Sequence, residues 1–424
     1  MTNQDQISTR TISSLPNELL VAIVAAGQDC GTDFPPRAFK SEWILSQVSQ
    51  RFRDVILGAP ALWTLIQTDL YDLRAVETLM LYLERSAAHK ISITLRSGSQ
   101  YPEGPLRGCL TQILPHVERL WTLAITMSGR AIDALAPFRD VQAPHLQHLK
   151  VVITNYRNNN ESIEIFSAGA PTLSSLRIDG LKLQLPPPPS WMASLTHLEV
   201  LERRALDYNN LLAAMTVQCP LLVHLHLDIL WEFEEASHFH IPSLKFLQIS
   251  VPDTEDEFFL EAIVDLFDTP ALEEFIIYGT HGDQIFTLFN LTSLPHSSFP
   301  ALTSFSFISK TSCSCEKDIP FSNSISAPPL ALFPALSSLT LVNQCFTHNL
   351  VKDLFGPSSQ PWPRLETVTL CPKKDIFDAV WDAVKDAVHS KSQRREPFPR
   401  LRFFRTLASL EAWQGNEPDV EMFL

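Results

Sequence analysis

Histidine is the residue type in this sequence whose spacing points most directly to chemistry. His224 and His226 form a His-x-His pair, and His148 and His197 occupy matching positions in similar stretches of the chain. Two imidazoles that project from one face of a strand can bind zinc. Polar strand faces also tolerate histidine without any metal, and we favour that interpretation. We therefore expect no metal site and no cofactor.

Three other groups of chemically active residues are weaker candidates. His238 and His240 repeat the His-x-His spacing in a predicted loop, and Cys313-x-Cys315 lacks the second pair that a zinc site needs. The acidic stretch 255–261 alternates carboxylates with apolar residues, which favours a solvated helix face over a pair of catalytic acids. No G-x-S-x-G, Walker loop, H-E-x-x-H or G-x-G-x-x-G motif occurs. We expect that the protein is not an enzyme.

The histidines lie in a repeated line of sequence, x-Pro-x-Leu-x-x-Φ-x-Φ, in which Φ is apolar. FPALSSLTL at 333–341 and FPALTSFSF at 299–307 are two copies. The alternating apolar pair predicts a half-buried strand, and a proline just before a strand breaks no ladder hydrogen bond. Steps of 22 to 36 residues separate ten such copies, which begin at Pro144, Pro171, Ala193, Pro220, Pro242, Pro270, Pro300, Pro334, Pro363 and Pro399.

Segments with helical spacing lie between these strands. They include 207–219, 255–267 and 375–388, and the earlier stretches 73–95 and 106–126 read as a helix followed by a strand. A strand and a helix that recur at this interval predict a leucine-rich-repeat solenoid. We therefore expect an α/β fold in which 71–424 forms an irregular solenoid of about 10–12 repeats around a curved parallel sheet, without a regular asparagine ladder.

Residues that flank the apolar pair of each strand are expected to share the concave face, because successive side chains alternate. Ten strands spaced about 4.8 Å apart make a surface about 45 Å long, which suits a protein or peptide better than a small metabolite. In the last strand, the template places Phe403 on this face. The predicted target-binding residues are His148, Arg177, His197, His224, His226, Gln248, Tyr278 and Thr340.

Composition excludes several classes of protein. The net charge of −14 argues against a nucleic-acid-binding protein, which needs a basic face. The seven cysteines are odd in number and irregularly spaced, which favours a reducing compartment over a disulfide scaffold. The polar N-terminus is no secretory signal, and the longest apolar run is too short to cross a bilayer. We expect a cytoplasmic or nuclear protein without membrane contact, in which the sequons at Asn160 and Asn290 are chance matches.

The first seventy residues differ from the repeats. Three motifs stand out: L-P-x-E-L-L at Leu15–Leu20, V-S-x-x-F-R at Val48–Arg53 and P-x-L-W at Pro60–Trp63. Pro16 suits the first turn of a helix, and Glu18 favours its N-terminal end. A second helical spacing runs from Leu45 to Gly58. We predict a small all-helical domain at 1–70.

These motifs resemble those of the F-box, and the F-box followed by leucine-rich repeats resembles the F-box-like families of mushrooms and other fungi. The resemblance implies binding to the adaptor subunit of an SCF-type, cullin-based ubiquitin ligase, with a protein target held by the repeats. The alternative is a protein-binding scaffold without a ligase role, because the segment 27–43 is longer than the usual link between F-box helices. The resemblance places these residues in or beneath the adaptor interface: Leu15, Pro16, Leu19, Leu20, Val48, Phe52, Pro60, Leu62 and Trp63.

Overall fold

The computed structural model of the chain describes residues 15–29, 41–98, 103–154, 162–163, 165–180, 182–183, 190–201, 208–228, 238–251, 263–264, 266–280, 299–309, 333–342, 364–372, 374, 377–394 and 399–404. The described residues include all three N-terminal motifs and the predicted target-binding residues. Several sequence features lie outside them: the Cys313 and Cys315 pair, the acidic stretch 255–261, and the sequons at Asn160 and Asn290.

Helices and strands both occur along the described residues, and strands predominate after residue 218. The longer α-helices are α1 (Asn17–Asp29), α2 (Ser41–Ser46), α3 (Gln50–Leu57), α4 (Ala75–Arg85), α5 (Glu103–Ile113), α6 (Tyr208–Gln218) and α7 (Phe377–Arg394). Short 3-10 helices span Pro60–Trp63, Leu114–Arg119, Gly129–Phe138 and Ser190–Ser194. The strands are β1 (Leu65–Asp69), β2 (Ile91–Arg96), β3 (Leu120–Ser128), β4 (His148–Thr154), β5 (Ser162–Ile163), β6 (Ser175–Asp179), β7 (Lys182–Leu183), β8 (His197–Leu201), β9 (His224–Asp228), β10 (Phe239–His240), β11 (Phe246–Ser250), β12 (Phe267–Asp268), β13 (Glu274–Thr280), β14 (Ser304–Ser309), β15 (Ser338–Val342), β16 (Thr367–Cys371) and β17 (Arg400–Phe403).

Thirteen of these strands form one open sheet, in the order β1-β2-β3-β4-β6-β8-β9-β11-β13-β14-β15-β16-β17. The order follows the chain, as expected when each parallel strand is reached by a crossover from its predecessor. Two further sheets contain two short strands each, β5 with β7 and β10 with β12. The predicted α/β class with a long parallel sheet is therefore confirmed, whereas the curvature of the sheet stays a prediction.

Contacts divide the chain into two compact units. Unit 1 contains residues 1–173 and 189–191, and unit 2 contains residues 174–188 and 192–424. In unit 1, the helices α1, α2 and α3 pack on one another, α4 packs on β1, and α5 packs on α4. In unit 2, nine strands from β6 to β17 pair in parallel, each with the next in the sheet order. The domain boundary expected at 70 and 71 stays a prediction.

Local structure agrees with most of the sequence-based elements and differs in five places. Every copy of the template precedes or enters a strand of the long sheet, and α4, α5, α6 and α7 overlap the segments with helical spacing, although α5 begins earlier and α7 ends later than expected. The first difference is Phe267, which ends the helical spacing 255–267 but lies in β12. The strand β1 was not predicted. The helical spacing from Leu45 to Gly58 is interrupted, since α2 ends at Ser46 and Ser49 begins α3 as its N-cap. His240 belongs to β10 rather than to a loop, and β17 starts at Arg400.

The proline of the template has a specific place in the backbone. In seven copies, the residue before the proline accepts a hydrogen bond from the amide of the template leucine three positions later; Leu272 and Leu302 are two of these donors. Such a bond closes a β-turn in which proline occupies the second position, where its fixed φ is favourable. The turn ends where the strand begins, so the template specifies a turn and a strand together.

A second regular feature joins neighbouring repeats of unit 2. We call the residue directly after each template leucine the junction residue; Ser174, Thr196, Val223, Lys245, Glu273, Thr303 and Ser337 are junction residues. Each of their carbonyl oxygens accepts two backbone N–H bonds from the next repeat, at 2.8–3.0 Å. Junction hydroxyls add a third bond at three repeats: Thr196 to the Ser174 carbonyl, Thr303 to that of Glu273, and Ser337 to that of Thr303. These bonds join repeat to repeat through the backbone.

Removing one junction hydroxyl is expected to cost about 1 kcal/mol of unfolding free energy, because a single net hydrogen bond is lost from an otherwise intact carbonyl. We predict this loss for Thr303→Ala and a smaller loss for Thr303→Ser, which keeps the hydroxyl group. Urea unfolding followed by circular dichroism measures both. An equal loss for the two variants would show that the methyl group of Thr303, and not its hydroxyl, matters.

The buried layer of unit 2 is rich in phenylalanine. Phe305 is 1% exposed, and its ring centroid lies 5.7 Å from Phe275, 5.3 Å from Phe333 and 6.5 Å from Phe307. Offset and edge-on arrangements at such separations stabilise a core beyond the area that they bury. Phe299 joins the same group through Phe275 and Phe333. These rings extend through three consecutive repeats.

The prediction for Phe403 is wrong. In β17, Arg400 pairs with Thr367 and Phe403 pairs with Leu370, so Phe403 lies on the buried side of the sheet. Its ring lies 4.8 Å from that of Phe377 and 5.1 Å from that of Trp381, both on α7. The apolar stripe of α7 holds Phe403 inward, and this packing sets the register that the template misplaced.

Among the described residues, no helix is both long and apolar enough to cross a bilayer.

Candidate partner-binding surfaces

Short-range hydrogen bonds explain why the N-terminal motifs form their helices. The Pro16 carbonyl accepts the amides of Leu19 and Leu20, which starts α1. In the V-S-x-x-F-R motif, the Ser49 hydroxyl accepts the amide of Phe52 at 3.2 Å and caps α3. The Arg51 guanidinium of α3 donates to the Leu15 carbonyl and to the Asn17 side chain, so two motifs that are distant in sequence are joined at one point.

The residues predicted to bind an adaptor separate into two sets by exposure. Buried members are Leu20, Phe52, Leu62 and Trp63, each less than 5% exposed. Exposed or partly exposed members are Leu15, Pro16, Leu19, Val48 and Pro60. The first set therefore forms the core of the helical region and shapes the surface, and the second set is accessible to a partner.

Exposed apolar side chains are concentrated on these helices. Of the twelve large apolar side chains that are exposed among the described residues, six lie between residues 19 and 57: Leu19, Ile23, Trp43, Ile44, Val48 and Leu57. Leu19 and Ile23 are four positions apart and share one face of α1. Val48, the most exposed of the six at 58%, lies between α2 and α3. A concentration of exposed apolar side chains is typical of a protein-binding surface.

A buried carboxylate that the sequence analysis missed fixes α2 in place. Glu42 is 3% exposed and accepts hydrogen bonds from the Tyr82 hydroxyl of α4 and, at 3.0 Å, from the Gln28 amide of α1. The Trp43 indole donates to the Tyr82 hydroxyl at 2.9 Å. Burial and the neighbouring Glu42 charge raise the pKa of Tyr82 well above its usual range, so its hydroxyl stays protonated and donates. We call Gln28, Glu42, Trp43 and Tyr82 the Glu42 network.

The tryptophan of the P-x-L-W motif lies beside this network. Trp63 packs edge-on against the Tyr82 ring at 5.0 Å, and the Arg85 guanidinium lies 4.3 Å from the centre of its ring. Its indole N–H donates to the Ile56 carbonyl at the end of α3, at 3.0 Å. Trp63 therefore joins α3 to α4. Because its side chain is buried, it does not contact a partner directly.

In unit 2, the second candidate surface is the side of the sheet opposite the phenylalanine core. Strand register aligns its side chains in two rows that we call the open face. The first row is Ser175, His197, His224, Phe246, Glu274, Ser304, Ser338, Thr367 and Arg400. The second row is Arg177, Glu199, His226, Gln248, Ile276, Ser306, Thr340, Thr369 and Arg402. Most members are half-buried, as expected for one uncovered face of a sheet.

Three rings of the first row stack across neighbouring strands. His197 and His224 have centroids 5.5 Å apart, and His224 and Phe246 lie 4.1 Å apart with planes inclined by 7°. The Thr196 hydroxyl contacts the His197 ring nitrogen Nδ1 at 2.9 Å and restrains that ring. Burial, followed by the proximity of His197, lowers the pKa of His224. We call His197, His224 and Phe246 the ring stack.

The second row holds an ion pair beside a neutral imidazole. Arg177 and Glu199 form a salt bridge of 2.8 Å. His226, the register partner of Glu199, contacts the Ser250 hydroxyl through Nε2 at 3.1 Å. Burial lowers the pKa of His226 to about 4, so this imidazole is uncharged at neutral pH. Among the described residues, no group of three or more His, Cys, Asp or Glu side chains is arranged to hold a metal ion.

The remaining predicted target-binding residues have different surroundings. Gln248 is half-buried next to His226 in register, and Tyr278 is 39% exposed on β13. Thr340 is half-buried, but Val342 and Cys371 beyond it are fully buried and pack with Phe404 and Ile308. The open face is therefore closed at the carboxyl ends of β15 and β16. His148 belongs to unit 1, where its ring lies 6.5 Å from that of Trp121.

Comparison with known proteins adds no family to these observations. No protein-family model matches the chain, and no curated protein has a matching sequence.

Proposed function

We propose that this chain is the substrate-recognition subunit of an SCF-type cullin E3 ubiquitin ligase. In this proposal, the helices α1, α2 and α3 bind the adaptor subunit, and the open face of unit 2 binds a protein target. The F-box resemblance of the three motifs motivates the adaptor. The observation that carries the proposal is the concentration of exposed apolar side chains, including Leu19 and Val48, on the helices that contain those motifs.

In this proposal, one surface binds the adaptor and the other binds the target, so the chain itself needs no catalytic group. A receptor that holds a target near a ubiquitin-charged enzyme raises the effective concentration of the reacting groups. The accessible apolar residues of the motifs have buried apolar residues beside them in the same motifs, such as Leu20 and Phe52. This arrangement favours a preformed binding surface, which lowers the entropic cost of association.

A scaffold without a ligase role is the second candidate. The long segment between α1 and α2 favours it, since residues 30–40 separate the two helices that carry the first exposed apolar side chains. The two proposals differ in one measurable property, which is the capture of the adaptor subunit. A scaffold retains stable partners but shows no affinity for the adaptor.

Charged substitutions on the exposed helix surface are expected to abolish adaptor capture. We predict that Leu19→Asp and Val48→Asp each weaken binding of purified adaptor by at least about tenfold, because an apolar contact is replaced by a buried charge. Isothermal titration calorimetry with the full chain measures the affinity. Leu73→Asp, at a residue that is fully exposed in unit 1 and outside these helices, is the matched control and should bind as the wild type does.

Two results would contradict this proposal. Absence of adaptor binding by the unmodified chain would support the scaffold. Equal binding by the wild-type, Leu19→Asp and Val48→Asp proteins would show that the adaptor, if bound, is held elsewhere.

A further inference from the structure

The side chains around Phe246 on the open face define the chemistry of the partner that they fit. Register places His224, Phe246 and Glu274 side by side on β9, β11 and β13. His224 covers one face of the Phe246 ring at 4.1 Å in a nearly parallel arrangement. The other side of the ring is directed towards β13, where Glu274 occupies the same level. An aromatic ring and a carboxylate, both half-buried, are thus neighbours on the open face.

Glu274 is set up to interact with a cation. It is half-buried, and burial raises the pKa of its carboxyl group, so its charge is poorly solvated. Burial is the cause of this shift, and among the described residues no hydrogen bond or ion pair is found at the Glu274 carboxylate. A partly desolvated carboxylate gains more from an added cation than a fully hydrated one, because less water is displaced to form the pair.

Among the described residues near Phe246, the basic side chains offer little free positive charge; Lys245, its neighbour in the chain, is paired with Glu273 at 2.7 Å. The two half-buried histidines nearest Phe246, His224 and His226, have lowered pKa values because of burial and are neutral at pH 7. The Arg177 guanidinium is already paired with Glu199. The whole chain carries a net charge of −14, which steers cationic partners towards it.

The guanidinium group is the cation that matches this pair of residues best. It is planar, it stacks on aromatic rings, and it donates paired hydrogen bonds to a carboxylate. Lysine offers the charge without the plane or the paired donors. An arginine that lies against Phe246 can therefore reach Glu274 with its N–H groups in a single placement.

The same strand offers contacts for an extended chain on either side of that arginine. Glu274, Ile276 and Tyr278 project from one side of β13 at every second residue, about 7 Å apart. An extended peptide has the same repeat, so alternate side chains can meet a carboxylate, an aliphatic group and an aromatic ring in turn. Tyr278 is 39% exposed and adds a second ring for a cationic side chain.

We propose that the open face of unit 2 between β9 and β13 binds an arginine-containing extended segment of the target protein, with the guanidinium stacked on Phe246 and paired with Glu274. This inference rests on the target-binding half of the proposed function and is independent of the adaptor. The site between β9 and β13 should therefore bind a basic, extended segment in preference to an acidic one.

The test uses the full chain and a fluorescein-labelled peptide of about nine residues with arginine at alternate positions. Fluorescence anisotropy gives its Kd. Three versions of the peptide carry lysine, citrulline or glutamate in place of arginine, and citrulline keeps the shape of arginine without its charge. We expect the arginine peptide to bind at least about tenfold more tightly than the citrulline peptide, with lysine between them and no binding of glutamate.

Two variants of the protein separate the residues involved. Glu274→Gln is expected to raise the Kd of the arginine peptide by about tenfold and to leave the Kd of the citrulline peptide unchanged. Phe246→Leu keeps an apolar side chain but removes the ring. It should also raise the Kd of the arginine peptide, and it provides a second test if Glu274→Gln fails to fold. Asp382→Asn is the matched control, because it removes an equal charge from an exposed position on α7 of the same unit.

Equal affinity for arginine and citrulline, an unchanged Kd in both variants, or no binding of the arginine peptide would overturn the inference. Adaptor binding is measured on the same preparations. If the arginine peptide does not bind while the adaptor still does, only the inference about arginine is contradicted. If adaptor binding fails while the peptide discriminates arginine from citrulline, the ligase role alone falls.

Discussion

Phe305→Ala is expected to lower the unfolding free energy of unit 2 by about 3–5 kcal/mol, the largest effect of any single substitution considered for this protein. Phe305 is 1% exposed and has three phenylalanine neighbours within 6.5 Å, so alanine leaves a cavity lined by rings. The surrounding strands are held by ladder bonds on both sides and can close this cavity only in part. Urea unfolding monitored by circular dichroism gives the loss directly.

The shape of the unfolding transition carries further information. Repeat arrays are stabilised by contacts between neighbours, so a defect in β14 weakens the coupling of β13 to β15. We expect a broader transition for Phe305→Ala, and a loss of less than about 1.5 kcal/mol for Phe305→Leu, which nearly preserves volume. Val217→Ala, at an 81% exposed position on α6, is the control and should stay within about 0.5 kcal/mol of wild type. A loss below about 1 kcal/mol for Phe305→Ala would contradict the assignment of this ring to the core.

Glu42→Ala is expected to cost about 3 kcal/mol in unit 1, because Glu42 is buried and its removal leaves two hydrogen-bond donors without their acceptor. The Tyr82 hydroxyl and the Gln28 amide lose their acceptor together. The same substitution should weaken adaptor binding, since Glu42 fixes the helix that presents Trp43 and Ile44. Thermal unfolding and calorimetric titration measure the two effects.

A double-mutant cycle shows whether the Glu42 network acts as one unit. Glu42→Ala, Tyr82→Phe and the double variant should have a coupling energy of at least about 1 kcal/mol, because the two residues share a hydrogen bond. Glu84→Ala removes a carboxylate from the exposed surface of α4 and serves as the control. Additive losses for Glu42 and Tyr82 would mean that the contact between them contributes nothing to stability.

The repeats of the sheet were predictable because their sequence pattern is local and recurs many times along the chain. Pro334, Leu336 and the pair Leu339 and Leu341 specify a turn, its closing hydrogen bond and a half-buried strand within ten residues. β1 lacks this signal: it follows the P-x-L-W motif directly and has no template proline. It becomes a strand because β2 provides a parallel partner, which is a non-local cause. For the same reason the register of β17 escaped prediction, since it depends on the contact of Phe403 with α7.

The candidate surfaces were predictable as regions, but not residue by residue. The motifs located α1 and α3 but not the break between α2 and α3, and exposure divides Leu19 from Leu20, two adjacent leucines that the sequence cannot distinguish in role. Glu42 was missed because a glutamate that follows Lys40 and Ser41 gives no sign of burial, and its partner Tyr82 lies forty residues away. On the open face, the alternation rule placed His224 and His226 correctly. It gave no indication that Phe246 stacks on His224, which follows from the register of two strands.

The junction carbonyls also bear on how such a chain can change in length over evolutionary time. Each of these oxygens fixes the start of the following strand through two amide bonds, and the segment that connects one strand to the next takes no part in those bonds. Insertions and deletions between repeats therefore leave the alignment of the rows intact, which agrees with steps that vary from 22 to 36 residues. A deletion between a template leucine and its strand has the opposite effect, because it turns every following side chain of that strand to the other face. Natural length variation should be confined to the connecting segments and absent from the two residues that follow each template leucine.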